Sequence, residues 1–295
     1  MPSGNTTTGS LGDSAETMID SGRLVREHTG VFQRVLDKHT LEPNTGLSWE
    51  EISLAKLTAQ LVTETTTLNN PQQMSDTLFS VTPLVVGVQT VITDRVYRRL
   101  SKKSTSLLGK LAQNAIQRKK DQDYLSTFSG FTTQLSGTGT TLASGIIGAA
   151  VSRITGNATE PSPEDGNIFT VLHPFQVKDL QDELTAGVGT YTLPTGMTQE
   201  IFKQGMAGID RVSGSGVFRD GNITINATPD ARGAVHHRMA VVLVQGHDLR
   251  TETTRKSNYG GGADEVILYD EYALGERSAG NWAFGVLTDA TSPTT

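Results

Sequence analysis

The stretch from Gln60 to Thr93 has the residues of β-strands without the two unlike faces that let a sheet bury one side. Leu61-Val62-Thr63-Glu64-Thr65-Thr66-Thr67 is rich in β-branched side chains, and Asn69-Asn70-Pro71 reads as a turn. A second run, Leu78 to Ile92, carries Val81, Val85, Val86, Val88 and Val91, interrupted by Pro83 and Gly87. Proline donates nothing to a ladder, so this run belongs at an edge or in a free ribbon. The pattern predicts a long hairpin over 60–93. Two strands alone are marginal in water, so the ribbon needs a surface to lie on, which implies a partner.

The N-terminal end poses the same problem. Residues 1–47 read as an arm: Gly, Ser, Thr and acidic residues first, with apolar ones sparse until Val31, Phe32, Val35 and Leu36. That is enough to dock on a neighbour and too little for a core. Composition agrees. Hydrophobic residues are 36% and charged residues 19% of the 295, with 31 glycines, low for a self-contained soluble enzyme. Strands, loops and arms completed by neighbouring copies fit those numbers.

Local signals place the remaining elements. Ser48-Trp49-Glu50-Glu51 matches a capping box, so a short helix is expected over 48–59. Ser104 to Ser129 carries Leu107, Leu108, Leu111, Ala112, Ala115, Ile116, Tyr124, Leu125 and Phe128 at helical spacing, with Gly130 at the stop. Its other face is expected to hold Lys102, Lys103, Lys110, Arg118, Lys119 and Lys120. A solvated basic face is one reading; contact with a nucleic acid or an acidic neighbour is the other. A second helix is expected over 142–155, stopped by Gly156, then a buried strand over 168–172 and a helix over 175–184 behind Pro174. The rest reads as mostly β: strands at 208–212, 223–225, 266–274 and 282–287, a buried strand or helix segment at 239–244, and turns at 220–222 and 260–262. The class is α+β.

Candidate chemistry is sparse. Gly137-x-Gly139 resembles a fragment of a phosphate loop, but no Gly-Lys-Ser/Thr follows. His236 and His237 are adjacent, so on a regular element they point apart and do not readily share one metal. Asp121-x-Asp123 lacks a third acidic ligand and the calcium-loop glycine. Ser213-Gly214-Ser215-Gly216 misses the spacing of a nucleophile elbow. The sequons at Asn5, Asn157, Asn222 and Asn226 carry meaning only in a secreted chain. With no cysteine, disulfides and thiol chemistry are excluded. Net charge is -6, unlike a basic nucleic-acid binder. No run of 18 apolar residues occurs, and Met1 to Ser10 lacks the basic region of a secretory signal, so use inside a cell is expected. No catalytic, cofactor-binding or metal-binding residue is nominated, and the chain is expected not to be an enzyme.

The order arm, short helix, hairpin, long helix, α+β lobe and closing sheet resembles the major capsid proteins of tailed double-stranded-DNA bacteriophages. The likeness spans about 47–290. Similar phrasing runs through Ile116-Gln117-Arg118-Lys119-Lys120-Asp121, Phe128-Ser129-Gly130-Phe131, Ala149-Ala150-Val151-Ser152-Arg153-Ile154 and Val171-Leu172-His173-Pro174-Phe175-Gln176.

The resemblance implies the tailed-phage capsid fold: an N-terminal arm, 60–93 as an extended loop, a peripheral domain from 94–130 and 246–295 with 104–129 as its spine helix, and an axial domain over 131–245. Within that last domain 226–237 would be the loop nearest the symmetry axis. It implies self-assembly into pentamers and hexamers of an icosahedral shell around double-stranded DNA, located in the virion and assembled in the bacterial cytoplasm. An encapsulin-like compartment is the alternative. No lysine lies between Lys56 and Lys102, so the loop lacks the amine of the lysine–asparagine cross-links some relatives use. Strength would come from overlap, or from a cement protein. A separate scaffolding protein is expected because few residues precede the short helix; Met1 argues against N-terminal processing. A portal is also implied, and Gly87, Gly130 and Gly156 are the expected hinges.

Overall fold

The long helix is where the apolar spacing put it. In the computed structural model, which describes residues 28–64, 71–99, 102–163, 166–188, 210–278 and 280–294, it spans 26 residues, about 39 Å of rod. In chain order the elements are α1 (Phe32–Val35), β1 (Asp37–Thr40), β2 (Trp49–Leu54), β3 (Asp76–Val81), β4 (Leu84–Thr93), α2 (Asp94–Arg99) and α3 (Lys102–Thr127). There follow β5 (Gln134–Leu135), α4 (Ser144–Thr155), β6 (Ile168–Leu172), α5 (Pro174–Val188), β7 (Arg211–Val212) and β8 (Ser215–Arg219). β9 (Asp230–His237), a short 3₁₀ turn, β10 (Val241–Lys256), β11 (Ala263–Glu276) and β12 (Ala283–Asp289) complete the chain.

Two sheets organise these elements. The first has the order β1-β10-β11-β4, with β1 parallel to β10 and the other pairs antiparallel. Helix α3 lies on it through Ala112 and Ile116, which meet Val88, Val266 and Leu268. The second has the order β5-β12-β9-β6-β8-β7. Both of its faces are covered, so successive residues of one strand enter different cores. Val171, Ala234 and Ala283 face Tyr124 of α3, Phe128 just after it and Phe32 of α1. Their neighbours Leu172, Val235 and Phe284 face Ile147 and Ile154 of α4 and Leu180 of α5. That alternation explains why β9 is buried almost throughout.

Several sequence expectations are corrected. The helix over 48–59 is absent: Trp49–Leu54 is a strand paired antiparallel with Asp76–Val81. The capping signal fails because its groups find distant partners. Ser48 Oγ bonds Thr82 Oγ1 at 2.9 Å, and Glu51 accepts from Arg277. The hairpin therefore runs over 49–81, not 60–93, and 61–63 carry no regular structure. Pro83 separates β3 from β4, which joins the first sheet. The strand expected over 223–225 reduces to one bridge, Ile225 to Ala231, while Ser215–Arg219 is a strand. Residues 226–237, expected as an axial loop, include β9 in the interior of the second sheet. Strand β10 begins at Val241, inside the span expected as axial, and Ala283–Asp289, expected in the peripheral part, joins the second sheet.

The arm is also different. Val31, Phe32, Val35 and Leu36 are buried in this chain's own core; its first 27 residues, with Asn5, lie outside the described ones. Gly87 is no hinge. It is paired in β4 opposite Tyr269, whose ring would stand 3.1 Å from any Cβ there. Lys120, expected on the basic face, turns inward to Asp270 at 2.8 Å and to Gln245 at 2.9 Å.

Candidate assembly surface

The ribbon of β2 and β3 has two unlike faces after all. Strand alternation puts Trp49, Phe79 and Val81 on one side, packed against Val242 and Val244 of β10. It puts Ile52, Leu54 and Leu78 on the other, with Ile52 directly opposite Leu78. These three are 61%, 63% and 58% exposed. Farther out, Leu57, Leu61 and Met74 are exposed as well. The ladder continues past the strands through Ala55 N to Ser75 O at 2.9 Å and Thr58 N to Gln72 Oε1 at 2.7 Å. From Trp49 to Thr58 the ribbon is about 30 Å long. Along it, Lys56 Nζ donates to the Thr159 carbonyl at 2.6 Å.

One arginine roots this ribbon. Arg277, 7% exposed at its side chain, donates from Nε to Glu51 at 2.6 Å and from a terminal nitrogen to Asp37 at 2.7 Å. The same nitrogen reaches the Met239 carbonyl at 3.2 Å, and the other lies 3.1 Å from His39 Nε2. The guanidinium stands 5.3 Å over the Trp49 ring, on which His39 stacks at 4.7 Å. Burial pushes the Asp37 carboxyl up, but hydrogen bonds from Arg277 and His39 outweigh it and hold it below its ordinary value. Gly275 completes the seat: a Cβ there would come 2.5 Å from Val81 and 2.7 Å from Phe79. A cleft of about 440 Å³, lined by Leu41, Leu47 and Trp49 among others, opens beside this root.

The residues weighed for chemistry are scattered and occupied. Gly139 N donates to Asp230 Oδ1 at 2.7 Å, so that loop's amide already serves an internal carboxylate. His236 bonds the Tyr124 hydroxyl at 2.6 Å, and burial pushes its pKa down to about 4. His237 Nδ1 accepts from Met239 N at 3.2 Å. Asp121 faces Asn222 at 2.8 Å, whereas Asp123 accepts from the Tyr272 hydroxyl at 2.7 Å. Ser213 is a turn residue with φ of 50°, and Ser215 Oγ bonds Thr170 at 2.6 Å. Asn157 bonds Asn281, and Asn226 closes a turn on Thr228 and Asp230. Among the described residues no group of three His, Asp or Glu is placed to hold a metal ion, and no helix is long and apolar enough to cross a membrane.

The architecture is a long helix on one sheet, beside a second covered sheet, with a projecting ribbon. Among solved structures, a chain of Mycobacterium phage Che8 superposes with a TM-score of 0.68 at 14% identity, over 92% of this chain and 96% of that one. The capsid of Cyanophage P-SCSP1u gives 0.69 at 13% identity, covering 97% and 96%. The head of Helicobacter pylori bacteriophage KHP40 gives 0.68 at 12% identity, covering 98% and 100%. Thus the chain has the tailed-phage capsid fold expected from its sequence. No family model matches the sequence. No curated protein matches it either.

Proposed function

We propose that this chain is the shell subunit of a phage capsid, assembling into pentamers and hexamers that enclose double-stranded DNA. The observation that carries the reading is the ribbon, seated by Trp49, Phe79 and Arg277 on one face and bare at Ile52, Leu54 and Leu78 on the other. Covering each such side chain is worth about 1.5–3 kcal/mol. A second copy offers that cover at every position of a closed shell, and burial there offsets the entropy of ordering a ribbon. The first sheet with α3 serves as the peripheral domain, and the second as the axial one. The basic segment 94–119, with eight Lys and Arg to one acidic residue, supports non-specific contact with packaged phosphates. A scaffolding protein, a portal and a cement protein are the further partners of this reading, with assembly in the host cytoplasm and no catalytic role.

Negative-stain microscopy of the purified protein tests the reading, with large hollow particles expected. Deletion of 63–77, which removes the ribbon's outer half, is expected to abolish them while the subunit still folds. Normal particles from that deletion refute the ribbon's role. An encapsulin-like compartment shares the fold; neighbouring genes for a portal and a terminase, and not for a cargo enzyme, separate the two.

A further inference from the structure

Strand β4 carries an edge that the shell reading leaves unused. The three sheets have six edges among the described residues, and five of them are guarded. Strands β5 and β7 have two residues each. Strand β1 has four, with Asp37 and Lys38 among them. In the ribbon, β2 holds Glu50 and Glu51, and β3 holds Asp76. Short strands and charged side chains keep a sheet edge from pairing with another chain. Strand β4 has neither protection. Its ten residues, Leu84 to Thr93, include no charge and no proline, and its ladder with β11 runs without a bulge.

The ladder also fixes which backbone groups face outward. Asp94 N donates to the Gly262 carbonyl at 3.0 Å, one step beyond the Thr93–Ala263 pair. Antiparallel partners alternate between hydrogen-bonded and open pairs, so Leu84, Val86, Val88 and Thr90 bond to β11. The N–H and C=O groups of Val85, Gly87 and Gln89 therefore point away from the sheet, and no described residue bonds them. The edge is reachable here: Val85 is 65% exposed, and Gly87 and Gln89 are exposed too.

We propose that β4 of one subunit adds antiparallel to β4 of a second copy, about a two-fold axis at Gly87. The inference deepens the shell reading and rests on it for supplying the second copy. Among the described strands no other edge is both long and uncharged, so the edge in another copy that matches β4 is β4 itself. The register closes on itself. Val85 exchanges N–H and C=O with Gln89 of the second copy, and the two Gly87 residues exchange theirs at the axis. Every outward group named above is then used on both strands. On the α3 side Val86 lies opposite Val88 of the second copy, and Leu84 opposite Thr90; on the other side Val85 lies opposite Gln89. No like charges meet, and apolar pairs directly opposite each other stabilise a sheet. The contact is the same patch on both subunits, as a two-fold requires, and it joins two four-stranded sheets into one.

Hydrogen exchange of the full-length protein reads the pairing amide by amide. In dilute free subunits Val86 and Val88 should be protected by β11, while Val85, Gly87 and Gln89 exchange near the intrinsic rate. In particles, or in free subunits at the highest soluble concentration, those three should slow by at least about tenfold. Cross-linking identifies the partner. The chain has no cysteine, so Val85→Cys with Gln89→Cys places a thiol of each copy opposite one of the other. A hydrogen-bonded pair has its Cα atoms about 5.5 Å apart, within reach of a disulfide, and oxidised glutathione should give covalent dimers. Either single variant should stay uncross-linked, because its thiol lies about 14 Å from its copy along the strand. Leu84→Cys with Thr90→Cys probes the same register from the α3 side, should the first pair disturb folding. Unslowed amides in particles overturn the proposal and leave the shell reading standing. Slowed amides without dimers from either pair overturn it too, because a different segment then takes the edge. Slowed amides and dimers in a sample that forms no particles sustain it and remove the shell reading. Absence of particles, slowing and dimers at every concentration overturns both.

Discussion

In β9, Ala234 and Val235 enter two different cores and both are sealed. In β2, Trp49 is seated while Ile52, three residues on, stands bare. Both strands are built from ordinary sheet-forming residues. What differs is that β9 has helices above and below, and β2 has the body on one side alone. The comparison separates a sealed part of the molecule from a part with one bare face. The body around β9 seals its own apolar side chains, and the ribbon leaves one face bare. Arg277 marks the seam between them.

Five substitutions, taken in three steps, are expected to test that division, in order of falling effect on the isolated subunit. Lys120→Ala strands Asp270, 2% exposed at its side chain, without its cation inside the body. The loss should be about 3–5 kcal/mol by urea unfolding, because a buried charge left alone keeps its desolvation cost. A change under about 1 kcal/mol would show that water already reaches the pair. Arg277→Ala should cost about 2 kcal/mol, since it leaves Asp37 and Glu51 without their shared donor. Its distinctive readout is protease cleavage within 55–64, rising well before global unfolding. Equal protection there would mean that Trp49 and Phe79 root the ribbon unaided. The smallest effect on folding belongs to Ile52→Ser, Leu54→Ser and Leu78→Ser. Each should shift subunit stability by no more than about 0.5 kcal/mol, yet the triple variant should lose particles in the microscope. A large drop in subunit stability would instead place this face inside the body's own core.

The same division governs what was legible in the sequence. Helix α3 was visible because Ala112, Ile116, Tyr124 and Phe128 repeat at helical spacing and keep that face against the body. The strand at 168–172 and the helices on either side of it followed local signals of the same kind. A two-stranded ribbon is legible too, from β-branched residues around a proline, but the pattern places it too late in the chain. The capping box at Ser48 misled because its oxygen goes to Thr82 and its glutamate to Arg277, partners 34 and 226 residues away. Trp49, Glu51 and Ser53 alternating with Glu50, Ile52 and Leu54 is a period of two, a weak strand signal hidden under a stronger helix-start motif. Arg277 and Gly275 had no local signature at all, because each matters through what tertiary pairing brings to it. Asp121 was singled out beside Asp123, its neighbour in sequence, whereas its partner in space is Asn222.

The root of the ribbon joins Asp37, Glu51 and Arg277, and β1 pairs with residues 242–245 of β10. During synthesis neither the first strand nor the ribbon's base has its partners until nearly the whole polypeptide has emerged. Seating the ribbon is thus a late step by topology alone. A chain cut short before residue 277 lacks the joint that sets the ribbon's bare face at a fixed angle to the body.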